Sequence, residues 1–202
     1  MASSTLTKTI QSELKAITNV SAGAQSVSST LDVSTVLAAE IFVDISPEAT
    51  NTPGTEIRIE VSQKASGDDT WVPITGTVST TATVNSQAVD GTENAGATVI
   101  EETTTTGLAL NQWIFFKNGT IGNSEWARLV ALSASTSFTL QDGLTNAQTS
   151  STWYNRGERF AFFIDCSAVK RLRVVCNNNY GSSTVAVNWR CAATTLDSIS
   201  TT

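Results

Sequence analysis

Residues 55–63, TEIRIEVSQ, alternate without a break: Ile57, Ile59 and Val61 fall on one side of an extended chain, Glu56, Arg58 and Glu60 on the other. A period of two puts successive side chains on opposite faces, and only a strand with one buried and one wet face satisfies it. The period recurs in LAAEIFVDIS, with Ile41, Val43 and Ile45 opposed to Glu40, Phe42 and Asp44. It returns late in the chain. RFAFFIDCS sets Phe160, Phe162 and Ile164 together, and KRLRVVCNN sets Leu172, Val174 and Cys176 inward. STVAVNWRCAAT sets Val185, Val187, Trp189 and Cys191 inward, with Asn188 and Arg190 outward. NTPG (51–54) and SGDD (66–69) read as turns and TWVPI (70–74) begins a further strand, so LAAEIFVDIS, TEIRIEVSQ and TWVPI form a meander.

Between these two halves the pattern changes. Residues 78–110 are polar and hold little core material, whereas 111–155 form a compact unit: NQWIFFKNG is apolar on both faces, and EWARLVALS and SFTLQDGL follow behind tight turns. Short strands at this spacing predict a small barrel. The expected fold is therefore all-β: an antiparallel β-sandwich (31–78 plus 156–197) interrupted by an inserted small β-barrel (111–155), reached through a polar connection (79–110). An N-terminal arm (1–30) precedes it. There Leu6, Ile10, Leu14 and Ile17 recur at helical spacing, which allows a short amphipathic helix, and SAGAQSVSST reads equally as an extended arm lying on a neighbouring subunit.

Function is bounded first by what is missing. The chain has no His, which removes the usual imidazole base of Ser-His-Asp and Cys-His machinery and the commonest zinc ligand. Cys166, Cys176 and Cys191 are widely spaced and odd in number, and read as buried free thiols. Charged residues are 15% of the chain against a usual share of about 25%, with Ser, Thr, Asn and Gln in their place. Ser124 and Glu125 of NSEW lack a third group to activate the hydroxyl, and Glu125 and Arg128, three apart in a strand, face opposite sides. Asp68/Asp69 and Glu101/Glu102 read as solvated loop acids, since adjacent acids point apart; a weak calcium site at Ser66–Asp69 is the other reading of the first pair. No Gly-rich phosphate loop opens a helix. Five Trp (71, 113, 126, 153, 189) allow glycan stacking, but packing accounts better for most of them. No catalytic residue, metal or cofactor is expected. No apolar run approaches membrane-spanning length and no signal sequence follows Met1, so the expectation is synthesis in a cytoplasm with no membrane partner.

Charge is uneven. Residues 40–102 carry eleven acids against Arg58 and Lys64, and 156–191 carry six bases against Glu158 and Asp165. This argues against nucleic-acid binding by the whole chain. Two readings remain: opposed acidic and basic sides suited to assembly, or cross-strand pairing within one sheet. Arg171, Arg173 and Arg190 fall on the outer face, placed to meet acids such as Glu60 or an acidic partner. With Arg156, Arg159 and the arm's Leu6, Ile10 and Leu14, they are the candidate partner contacts.

The barrel segments GLALNQWIFFKNGT, NSEWARLVALS and SFTLQDGLTNA resemble inserted modules in structural proteins of tailed phages, including cyanophages. The framing strands TEIRIEVSQKASGDDTWVPI and KRLRVVCNNNYGSSTVAVNWRCAATTLD are similar to the β-sandwich of phage capsid decoration (cement) proteins. The resemblance implies a non-enzymatic virion protein, often a homotrimer. Such a protein binds the major capsid protein on the capsid exterior and clamps neighbouring capsomers. The alternative is a tail, baseplate or fibre component with a host-glycan-binding β module.

Overall fold

The computed structural model describes residues 4–10, 13–67, 71–81, 83–180 and 185–201. Their strands are β1 (Ser4–Ile10), β2 (Lys15–Val20), β3 (Gln25–Val27), β4 (Leu31–Asp32), β5 (Ala38–Pro47), β6 (Asn51–Ser62), β7 (Val72–Thr81), β8 (Ser86–Ala88) and β9 (Thr92–Glu93). There follow β10 (Val99–Glu101), β11 (Trp113–Lys117), β12 (Glu125–Ser133), β13 (Ser137–Leu140), β14 (Gln148–Thr149), β15 (Thr152–Asp165), β16 (Arg171–Asn178) and β17 (Val187–Thr201). The one helical turn among the described residues is a 3-10 turn at Ile121–Asn123. Every pairing is antiparallel, and the fold is an all-β sandwich.

A ten-stranded sheet runs β1-β17-β5-β15-β11-β12-β13-β10, with β2 also on β17 and β8 on β15. A five-stranded sheet runs β3-β16-β6-β7, with β4 also on β16. The alternating runs meet between them. Ile41, Val43 and Ile45 of β5 and Val187, Trp189 and Cys191 of β17 pack on Ile57 and Ile59 of β6 and Leu172, Val174 and Cys176 of β16. Each of these is essentially removed from water, and each large apolar side chain so buried contributes about 1.5–3 kcal/mol. All three cysteines are free and buried. Burial raises the thiol of Cys166 to about 11 and that of Cys191 to about 12, which leaves both unreactive at neutral pH.

Beyond β15 the large sheet curls into a half-barrel around a second core of Ile100, Ile114, Phe116, Leu129, Phe138, Leu140, Leu144, Trp153 and Val89. Val89 and Ile100 come from the polar segment 79–110 and are core, whereas Val99 and Leu110 of the same segment are exposed. No ladder joins β8 to β10 among the described residues. Side chains span that gap: Gln87 Nε2 donates to Thr103 Oγ1 (3.1 Å), and the Thr103 N–H donates to Asp90 Oδ2 (2.9 Å).

Three local expectations change. First, NTPG does not turn the chain; it lies inside β6, where the register shifts between Asn51 and Thr55 and Gly54 adopts a φ of 118°. A glycine at positive φ is the signature of a bulge, and Pro53 beside it lacks the N–H that a regular ladder would use. Second, β5 is no part of a meander with β6 and β7, because β5 belongs to the large sheet and β6–β7 to the small one. Third, the described residues of the N-terminal segment hold strands and not the short helix that the spacing allows. β17 is fifteen residues long; one edge pairs with β5 from Val187 to Leu196, and the other edge pairs with β2 over 187–191 and with β1 over 194–201. SGDD lies partly outside the described residues.

One strand connects the two cores. β15 pairs with β8 and β11 over its first residues and with β5 from Glu158 to Asp165. It changes over at Gly157, opposite Trp113, where an added Cβ would stand 2.9 Å from Trp126 Cδ1 and 3.1 Å from Trp113 Cβ. Gly157→Ala is expected to cost about 1–2 kcal/mol: overpacking of about 1–3 kcal/mol, partly offset by about 0.4–1 kcal/mol from a stiffer unfolded chain. Urea denaturation measures it. Gly122→Ala, whose Cβ meets nothing within 4 Å, is the control and should stay within about 0.5 kcal/mol of wild type.

Candidate functional site

The basic residues singled out in the sequence are occupied within the chain. Arg159, Asp44 and Arg190 lie on one rung of β15, β5 and β17, side by side on the outer face of the large sheet. Asp44 is 4% exposed and accepts from both arginines: Arg159 Nε reaches Oδ1 at 2.5 Å and Arg190 Nε reaches Oδ2 at 2.8 Å. Each guanidinium also covers an indole, Arg159 over Trp113 at 4.2 Å and Arg190 over Trp126 at 5.1 Å. Trp126 Nε1, in a small cluster with Phe115 and Tyr154, donates to the Ile45 carbonyl (3.2 Å), which ties β12 to β5.

The small sheet repeats the device. Arg173 sits opposite Glu60 and pairs with it at 2.7 Å, Arg58 bridges Glu56 (3.1 Å) and Glu60 (3.4 Å), and Arg173 and Arg171 lie 4.3 and 5.0 Å from the Trp71 ring. Arg171 Nε donates to the Lys64 carbonyl (2.7 Å), and Arg156 Nε to that of Thr83 (3.2 Å). Lys117 on β11 pairs with Glu48 at 2.6 Å. The acidic first half and basic second half of the chain thus meet as cross-strand neighbours.

Of the arm residues, Leu14 is buried in the sandwich core, Ile10 is 84% exposed at the end of β1, and Leu6 pairs through its backbone with Ile199. NSEW organises a loop. The Ser124 hydroxyl accepts the Asn118 N–H (2.9 Å). The buried Glu125 carboxylate accepts the N–H groups of Thr145 (2.8 Å) and Asn146 (3.1 Å) and Gln148 Nε2 (2.8 Å). Arg128 turns elsewhere, to Gln141 and Asn111. Trp153 and Trp189 are fully buried, Trp126 nearly so, and Trp71 and Trp113 lie beneath arginines. None of the five offers the open face that glycan stacking requires.

Glu102 is the one acid the sequence reading misplaced. It was read as a solvated loop residue, yet it is 3% exposed and neither oxygen has a hydrogen-bond partner of normal geometry. Burial raises its pKa to about 7; the nearby charges of Asp90 and Glu93 add to the rise, and the Trp153 indole restrains it. Among the described residues no cluster of three or more Cys, Asp or Glu is placed to hold a metal, and no helix is long and apolar enough to cross a membrane. Asp68 and Asp69, with the calcium reading, lie outside the described residues.

The surface features the sequence reading passed over are apolar. On the outer face of the large sheet Phe163 is 75% exposed, with Phe42 and Ile10 also open. On β7, Val72, Ile74 and Val78 are exposed, and Ile74 and Thr75 line a groove of about 440 Å³ with Phe162 and Phe163. The signal for Phe163 was present in RFAFF: two adjacent aromatics in a strand cannot share a face, so placing Phe162 inward puts Phe163 outside.

Two outcomes test this geometry. Asp44→Ala leaves two arginines facing each other on one rung and is expected to cost about 2–3 kcal/mol in urea denaturation, reduced from the fully buried case because both guanidinia are part-exposed. For Glu102 the folded pKa lies above the unfolded one, so its stabilising contribution is full below about pH 4.5 and is lost as pH rises through about 7. Glu102→Gln mimics the protonated form. Its stability relative to wild type should rise by about 1–2 kcal/mol between pH 4.5 and pH 8, a near-surface site being partly screened. A pH-independent difference contradicts this.

No known protein family matches the chain, and no curated protein matches it in sequence. Among solved structures it is weakly similar to one of the infectious bursal disease virus Gt strain (TM-score 0.19, 11% identity, 96% of this chain and 40% of that one). A second is VP17, a capsid protein of bacteriophage P23-77 (TM-score 0.20, 8% identity, 94% of this chain and all of the other). Scores of this size do not establish a shared fold.

Proposed function

We propose that this chain is a virion structural protein, a capsid decoration subunit that binds the major capsid protein on the outside of the shell. The observation that carries the reading is the edge of β7, which among the described residues pairs on one side only, with β6. Ten residues, VPITGTVSTT, lie at the end of the small sheet with no charged residue among them, and Val72, Ile74 and Val78 face water. An exposed edge presents a row of unpaired N–H and C=O groups, and monomeric proteins usually blunt such edges with charge, bulges or cover. Here the guards are Pro73 and the register shift beside it, which leaves Ile74 without a partner residue on β6. A strand of a capsid subunit added to β7 gains a backbone ladder and apolar pockets at once. Repetition on a lattice multiplies a modest single contact.

The resemblance of the framing strands to decoration proteins supports the same reading. The fibre alternative draws no support from the tryptophans, whose faces are covered. Mixed with empty heads of the phage that encodes it, wild-type protein should pellet with the heads. Ile74→Lys/Val78→Lys, changed only at exposed positions, should stay in the supernatant with its unfolding curve unaltered. Wild-type protein that never pellets overturns the proposal.

A further inference from the structure

A second apolar surface, centred on Phe163 and meeting β7 at the groove that Phe163 shares with Ile74 and Thr75, carries a knob and a hollow side by side. Cross-strand neighbours share a face, so the register Ile10–Thr194–Glu40–Phe163 across β1, β17, β5 and β15 is one outward rung. The next rung in the direction of the arginine clamp is Ala192–Phe42–Ala161. The outer face of an antiparallel sheet is ordinarily polar. Here it exposes Ile10, Phe42 and Phe163, with small residues between them.

Beside Phe163 lies a hollow of about 290 Å³ lined by Ala38, Ala39, Thr194 and Leu196, with Lys8 and Glu40 at its rim. An apolar cavity of about 150 Å³ already admits benzene, so this one has room for a phenyl ring. Lys8 and Glu40 are opposite charges, and neither side chain has a hydrogen-bond or ion-pair partner among the described residues. On the same face Asp44, Arg159 and Arg190 are all paired.

An exposed aromatic, a hollow that fits it and an unpaired charge of each sign, all on one face, make that face complementary to itself. In a two-fold contact residue i of one copy meets residue j of the other and the reverse. We propose that this face joins two copies of the chain about a two-fold axis. Phe163 of each enters the Ala38–Leu196 hollow of the other, and each Lys8 lies against the other's Glu40. A three-fold ring, which the resemblance implies, needs knob and hollow on different faces.

Size-exclusion chromatography with light scattering at micromolar concentration tests this. Wild type should run at twice the monomer mass. Phe163→Asp, a change at an exposed position, should run as a folded monomer and still pellet with empty heads, which separates this contact from the capsid contact at β7. Lys8→Glu and Glu40→Lys should each weaken the dimer about tenfold or more, and the double swap should restore it, since only the sign of each rim charge is exchanged. A wild-type monomer, a trimer mass, a Phe163→Asp dimer or a double swap no tighter than the single variants overturns the proposal.

Discussion

A strand of fourteen residues cannot bury its whole length against one small core, and β15 escapes that limit by serving two. Its first residues place Trp153 in the half-barrel core, and its last place Ile164 in the sandwich. The change of partner requires the chain to pass between Trp113 and Trp126, and Gly157 provides the gap. Everything that makes the fold one body collects there. Trp126 donates to Ile45, Phe115 stacks on Trp126 at 4.3 Å, and the arginine clamp on Asp44 covers both indoles. The crossing is therefore rigid, and the two cores are coupled through side chains with little rotamer freedom.

The alternation in TEIRIEVSQ and KRLRVVCNN was readable because a half-buried strand leaves a period that no other element leaves. The same logic failed at NTPG, where Pro and Gly signal a break in regular pairing without saying whether the chain turns or bulges. Val89 and Ile100 were hidden for another reason. A half-barrel core draws one residue at a time from short strands, and a single apolar residue among Thr and Glu has no period to detect. β1 and β2 were illegible locally because what makes them strands is the second edge of β17, far away in the sequence. Glu102 escaped because burial of one carboxyl is decided by the indole and strap that cover it, not by its neighbours in sequence.

Charge illustrates how composition misleads until topology is known. The segregation of acids and bases along the chain looks like a surface dipole, yet antiparallel register brings Glu60 to Arg173 and Asp44 to Arg159 and Arg190. Those arginines are neighbours of their own acids and of tryptophan rings, so their first role is to hold strands and cores together. Reversing Arg173 would disturb β6 and Trp71 before it disturbed any partner. In the proposed contacts beyond the chain, backbone and apolar groups supply most of the strength, and the rim charges Lys8 and Glu40 add the salt-sensitive part.

That division of labour has a physical consequence for β7. An uncharged ten-residue edge pairs with any extended chain, including a second β7, and its interruptions, Pro73 and the register shift at Ile74, lie together near one end. Such an edge persists in a soluble chain when it is covered in the assembled state or when addition is slower than assembly. In the proposed assembly, covering Phe163 would remove the largest exposed aromatic and leave β7 as an uncharged edge, with Leu37, Val99, Leu110 and Val130 exposed elsewhere. Pairing first would narrow the ways in which an isolated copy can aggregate before the strand edge meets a partner. An edge kept free of charge for docking is safest on a protein that has already hidden its other apolar side.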